Sequence, residues 1–287
     1  MNESGMFLDH GVRSRTGEPG RRGEAVARQL LEDARDLLRS RQAEEGLVRA
    51  GKAVGADPDC ARAWVTLGWA YLELGWYPPA IAASEKALEL DDKDAEAYIN
   101  LGWAYNALGK LDSALENCHR ALEVEPWSNE AYIERAWAYC RLGQYKRAVV
   151  DCDRAIEMDP SVPNAYIVRG WVKNLVGRYE SAIPDCRRAI ALEPDSAAAH
   201  EHLGWAYLGL GCCDHALRSL SRAIELDGHS AEAYYHRAVA LESAGRVETV
   251  IDTCERAFDL EDGCGTQDGR WDRWAEEVAS VAARSRR

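Results

Sequence analysis

Apolar residues recur along this chain at helical spacing, and the recurrence itself repeats. In ARAWVTLGWAYLEL, and again in AEAYINLGWAYNAL, aliphatic and aromatic residues fall three and four apart, the signature of one buried helix face. A period of 34 residues runs from Cys60 to Gly263 without insertion or deletion, giving six copies. Counting so that Trp64 is position 4, that position reads Trp64, Tyr98, Tyr132, Tyr166, His200 and Tyr234. Position 8 is Gly or Ala throughout, from Gly68 to Ala238. Position 15 is Gly in every copy, from Gly75 to Gly245, and position 27 is Ala in every copy, from Ala87 to Ala257.

Each landmark has a mechanical reason. Positions 4, 7, 8 and 11 lie within about 100° on a helix, so an aromatic at 4 fills space while the small residue at 8 admits a neighbouring helix. Gly at 15 ends the first helix in a left-handed conformation. Positions 20, 24 and 27 form the small inner face of a second helix, which Pro126, Pro160 and Pro194 then terminate at position 32. Pro78, Pro79 and Pro163 fall at helix starts, where a missing amide costs little. Pro184 is placed near a helix start too, where no kink is expected.

These residues resemble the tetratricopeptide repeat family. Trp64, Leu67, Gly68, Tyr71 and Ala80 match its pattern, and AEAYINLGWAYNALGKLDSALENCHRALEVEP nearly reproduces its consensus. The resemblance implies an all-α, right-handed superhelical solenoid of stacked helix-turn-helix repeats, with a concave groove lined by the first helices. It implies a binding module and not a catalyst. The expected organisation is a disordered tail over 1–22, a degenerate N-terminal repeat or cap over 23–59, six repeats over 60–263, and a capping helix over 264–287. In the degenerate copy, Leu30, Leu37, Gly46, Ala53 and Pro58 fit the pattern in either of two registers one residue apart.

Position 9 departs from the family. It is Trp69, Trp103, Trp137, Trp171 and Trp205 in five successive copies, then Val239. It lies about 140° from position 4, so it is expected to point away from the inter-helix core and, by the resemblance, into the groove. Two readings stand: a docking strip, or a structural ribbon whose gaps Ile99, Ile133 and Ile167 fill. Glu96, Glu130, Glu134, Glu232 and Glu73 share that face, as do Arg62, Arg141, Asn100, His202 and His236. Indole faces among carboxylates suit Lys or Arg, which gain cation–π attraction as well as charge pairing. The candidate partner-binding residues are therefore Trp69, Trp103, Trp137, Trp171, Trp205, Asn100, Glu96, Glu130 and Glu134. The clamp that some family members use for chaperone C-terminal carboxylates would need cations where Val65, Glu130 and Glu134 stand, and is rejected.

Charge narrows the partners further. The net charge of −13 arises entirely between residues 60 and 265, which hold 20 basic against 33 acidic side chains. That field repels a phosphate backbone, so the expected partner is a protein or peptide segment with basic and apolar side chains, not nucleic acid. No apolar run approaches the roughly 18 residues that cross a bilayer. The odd count of nine Cys, and a start with no long apolar core, lead to the expectation of a cytoplasmic protein with reduced thiols. Cys118, Cys152, Cys186 and Cys254 share position 24 and read as small buried hydrophobes, while Cys212, Cys213 and His215 match no zinc spacing. No catalytic constellation, metal set or cofactor motif emerges. The expected function is a non-enzymatic scaffold or adaptor. The alternative is a self-assembling, homo-oligomeric scaffold, one version of which fills the groove with the chain's own Arg13, Arg15, Arg21 and Arg22.

Overall fold

The structure, a computed structural model, describes residues 19–246 and, beyond them, Val250, Thr253 and Arg256. The expected capping helix over 264–287 and Cys254 lie outside the described residues, as does the expected tail up to residue 18. Among the described residues thirteen helices and no strand form an all-α helical-repeat solenoid. The chain divides into two compact units, with the boundary between Asp92 and Lys93.

The first unit holds α1 (Pro19–Arg39), α2 (Ala43–Ala56), α3 (Ala61–Glu73) and α4 (Tyr77–Leu90). Helix α1 begins four residues inside the stretch expected to be disordered. Ala34, Ala50, Leu67 and Ala83 make its core, with Leu47, Val54, Trp64 and Tyr71 packed around them.

The second unit holds α5 (Ala95–Ala107), α6 (Leu111–Val124), α7 (Asn129–Arg141), α8 (Tyr145–Met158), α9 (Pro163–Leu175), α10 (Tyr179–Leu192), α11 (Ala197–Gly209), α12 (Cys213–Leu226) and α13 (Ala231–Ser243). Each of α5, α7, α9 and α11 packs against its own second helix and against the first helix of the following copy, so that α5, α7, α9, α11 and α13 form one continuous layer. Side chains of Asp94, Ser128, Ser196 and Ser230 cap four of the five, each accepting from the amide three residues on. Pro163 opens α9 in place of a side-chain cap.

First helices end in one geometry. Gly75, Gly109, Gly143, Gly177, Gly211 and Gly245 all hold φ between 71° and 73°. The amide of the next residue reaches back to the third-last carbonyl of the helix, as in Trp76 to Tyr71 at 2.8 Å and Gln144 to Tyr139 at 2.8 Å. Between α1 and α2 the same hydrogen bonds recur, Arg41 to Leu38 at 3.0 Å and Gln42 to Leu37 at 2.9 Å, but the left-handed residue is Arg41 with φ 60°. Arg41 thus occupies the place of the repeat glycine, which fixes the N-terminal pair in the register that puts Ala53 and Pro58 on pattern.

Position 8 is small because position 24 of the same copy presses on it. A Cβ on Gly102 would lie 2.8 Å from the Cys118 sulfur, and one on Gly170 would lie 3.0 Å from that of Cys186. Cys118, Cys152 and Cys186 are fully buried free thiols, and burial pushes the Cys186 thiol up to about 12. Pro184 stands at the sixth residue of α10, deeper than expected, and removes the amide that would bond the Glu180 carbonyl.

Candidate functional site

The first-helix layer of the second unit carries the aromatic row. Trp103 on α5, Trp137 on α7 and Trp205 on α11 are half-buried, whereas Trp171 on α9 is only 9% exposed. Trp137 leans on Trp171 with centroids 4.6 Å apart and planes at 41°. Helix packing near 8–10 Å leaves a gap that only tilted rings close. Imidazoles extend the row. His202 stacks on Trp171 at 6.3 Å and 13°, Trp205 lies 6.5 Å from His202, and His236 stacks on Trp205 at 4.9 Å and 21°. Trp137, Trp171 and Trp205 each meet a ring of the next first helix, which covers part of them. Ile133 is buried in the same cluster as Trp137 and Trp171, whereas buried Ile167 packs with Tyr166, Ala189 and Ala199.

Trp69 belongs to the first unit. It is half-buried on α3, and its indole nitrogen donates to Glu73 Oε1 at 2.9 Å.

The polar candidates differ in setting. Glu96 and Glu130 are exposed, and Asn100 is buried. Glu134 is half-buried and accepts from Asn106 Nδ2 at 3.0 Å; the same amide donates to the Glu134 carbonyl at 2.8 Å. Burial raises the Glu134 carboxyl to about 7, against the lowering effect of the Asn106 hydrogen bond. Asn174 repeats this reach, donating to the His202 carbonyl at 2.8 Å. Both amides tie position 12 of one copy to the backbone of the next.

A buried polar knot lies at the far end of the row. Glu201 is 7% exposed and accepts from Ser230 Oγ at 2.8 Å, and its other oxygen sits 4.0 Å from His236 Nδ1. Burial, reinforced by the charge of Glu232, raises its carboxyl to about 8. Burial lowers His202 to about 4, and burial with a smaller push from His202 lowers His236 to about 3. Both rings are therefore neutral at pH 7, so the row is a stack of uncharged aromatic faces flanked by carboxyls. Sequence reasoning passed over Glu201. Its signal was a lone acid at position 5, where the other copies carry Val65, Ile99, Ile133, Ile167 and Tyr235.

Cys212 is exposed and Cys213 half-buried, and the His215 ring lies 5.0 Å from that of Tyr207. Among the described residues no group of three or more His, Cys, Asp or Glu side chains could hold a metal ion. No described helix is long and apolar enough to cross a membrane.

Comparison with known families agrees with the repeat geometry. Tetratricopeptide repeat profiles match residues 61–94, 95–128, 130–162, 176–211 and 205–259. The chain belongs to the tetratricopeptide repeat family, whose members mediate protein–protein interaction and scaffolding. Among solved structures it is similar to a thermophilic tetratricopeptide protein of Thermus thermophilus, at 26% identity and TM-score 0.57, over 64% of this chain and all of that one. It is also similar to a tetratricopeptide repeat protein of Parabacteroides merdae at 17% identity and TM-score 0.61, over 92% of this chain and all of that one. A chain of the Cut9–Hcn1 hetero-tetramer of the APC/C aligns at 17% identity and TM-score 0.77, over 88% of this chain and 48% of that one. No match was found among curated proteins.

Proposed function

We propose that this protein is a non-enzymatic scaffold or adaptor whose first-helix layer in the second unit binds a partner segment bearing apolar and basic side chains. One observation carries the reading: a row of half-buried, uncharged rings, Trp137, Trp205 and His236, runs beside the carboxyls of Glu134 and Glu201. Apolar side chains of the partner gain area against the indole faces, and Lys or Arg gains cation–π attraction of about 0.5–2 kcal/mol per contact. Trp171 supports the row from within and is not itself the contact surface.

The test uses the full chain and a fluorescein-labelled peptide in which Leu and Phe alternate with Arg, followed by anisotropy. Trp137→Ala combined with Trp205→Ala should weaken binding at least about tenfold, with helicity retained by circular dichroism. A net charge of −13 attracts basic peptides to any surface, so the indole variant decides. Unchanged affinity in that variant removes the proposal.

A further inference from the structure

A second recess lies between the turn that joins α7 to α8 and the end of α9; most of its apolar wall belongs to the same core cluster as Trp137 and Trp171, but no indole lines it. Its volume is about 660 Å³, within the range of pockets that bury most of a drug-sized ligand. Tyr145, Val149, Val172 and Val176 supply apolar wall. Val172 is buried and Val176 is 43% exposed, so the apolar surface runs from the base of the recess out to its mouth.

Charge on this recess is opposite to that of the chain. Lys146, Arg147, Lys173 and Arg178 line it, and no Asp or Glu does. Lys173 is already paired with Asp185 Oδ2 at 2.6 Å. Arg147 donates to the neutral Gln144 Oε1 at 2.9 Å and stacks over the Tyr139 ring at 5.5 Å. Among the described residues, Lys146, Arg147 and Arg178 have no carboxylate partner, and all three are exposed. In the same copies Arg135 and Arg169 are held by Asp151 and Asp185. Three free cations therefore sit together at this mouth, in a chain where acids outnumber bases 48 to 35.

We propose that this recess is a second docking site, which takes an acidic partner segment carrying large apolar side chains. The apolar side chains fill the space between Tyr145, Val149 and Val172, and the flanking carboxylates pair with Lys146, Arg147 and Arg178. The site shares no lining residue with the aromatic row and prefers the opposite charge, so one chain can hold a basic segment and an acidic one on separate surfaces.

The experiment is a reciprocal binding test on the full chain. A fluorescein-labelled peptide in which Leu and Phe alternate with Glu is titrated against wild type, against the charge-reversal variant Lys146→Glu/Arg147→Glu/Arg178→Glu, and against Trp137→Ala/Trp205→Ala. The expected result is binding to wild type that weakens as salt rises, falls at least about tenfold in the charge-reversal variant, and is unchanged in the indole variant. Val176→Glu, at an exposed wall position, should weaken the same peptide without loss of fold. A peptide with Gln for every Glu should bind at least about tenfold more weakly than the acidic one. The proposal is overturned if wild type does not bind the acidic peptide. It is also overturned if the charge-reversal variant binds it as wild type does, or if the Gln peptide binds equally well. Binding of decanoate in the recess without binding of the peptide likewise overturns it in favour of a small amphiphile. Loss of the acidic peptide in the indole variant would instead place it on the aromatic row.

Discussion

Arg135 grips Asp151 with two parallel hydrogen bonds, Nε to Oδ2 and Nη2 to Oδ1, both at 2.8 Å, across the interface of α7 and α8. The Asp151 side chain is only 6% exposed and that of Arg135 17%. The next copy repeats the arrangement, Arg169 donating to Asp185 at 2.6 and 3.0 Å. In the first copy the equivalent positions hold Leu67 and Ala83, both in the apolar core.

A buried pair is costly to break and cheap to replace whole. Asp151→Ala should destabilise the chain by about 3–5 kcal/mol, because it strands a buried guanidinium. Arg135→Leu with Asp151→Ala restores the Leu and Ala of the first copy and should recover most of that loss. Urea unfolding of the two variants checks this; a double variant as unstable as the single one contradicts it.

Arg41 bears a conformation that six glycines carry elsewhere. A left-handed conformation costs a side chain about 1–2 kcal/mol, part of which glycine returns through its freer unfolded chain. Arg41→Gly should therefore stabilise the N-terminal helix pair by up to about 1 kcal/mol. Slower amide exchange in α1 and α2 would register the gain, and faster exchange would refute it.

The pH profile should be a plateau with two shoulders. Glu134 and Glu201 ionise at about 7 and about 8 in the folded chain, against 4.5 ordinarily. Their contribution is full below about pH 4.5 and is lost as pH rises through 7 to 8. His202 and His236 protonate at about 4 and about 3, against 6.5 ordinarily. Their contribution is full above about pH 6.5 and is lost as pH falls toward 4 and 3. Between about pH 4.5 and 6.5 the two trends oppose each other. Glu201→Gln should raise Tm at pH 8 by about 2–4 °C or more and leave pH 5 nearly unchanged, measured by thermal melts. An equal shift at both pH values would refute the assignment.

Thiol chemistry should divide by depth. Iodoacetamide at pH 8 should label Cys212 within the native chain, while Cys118, Cys152 and Cys186, sealed and held as thiols, react only on unfolding. Mass spectrometry of timed samples reads the order directly.

The solenoid was legible because its signals are local and repeated. Gly at position 15 demands a left-handed turn, and Gly102 is small because Cys118 presses on it. The degenerate first pair stayed ambiguous because Arg41 hides the glycine sign while keeping the geometry. The site was legible only in part. Residue type and angle place Trp171 on a helix face, but how far a neighbouring layer covers it depends on tilt, which no period encodes. The basic recess was not legible at all, since Lys146 and Val176 are 30 positions apart and meet only across two turns.

The Asn106 and Asn174 amides skip alternate copies. The equivalent position is Cys140 in the third copy and Leu208 in the fifth; at those steps Trp137 leans on Trp171, and Trp205 meets His236 beside the Ser230–Glu201 hydrogen bond. A hydrogen bond fixes the register of two helices, whereas stacked rings tolerate sliding and tilt. The step from α7 to α9 thus rests on a tilted ring contact where the steps from α5 to α7 and from α9 to α11 carry an amide, so the Trp137–Trp171 seam leaves the layer freer to tilt than its neighbours do.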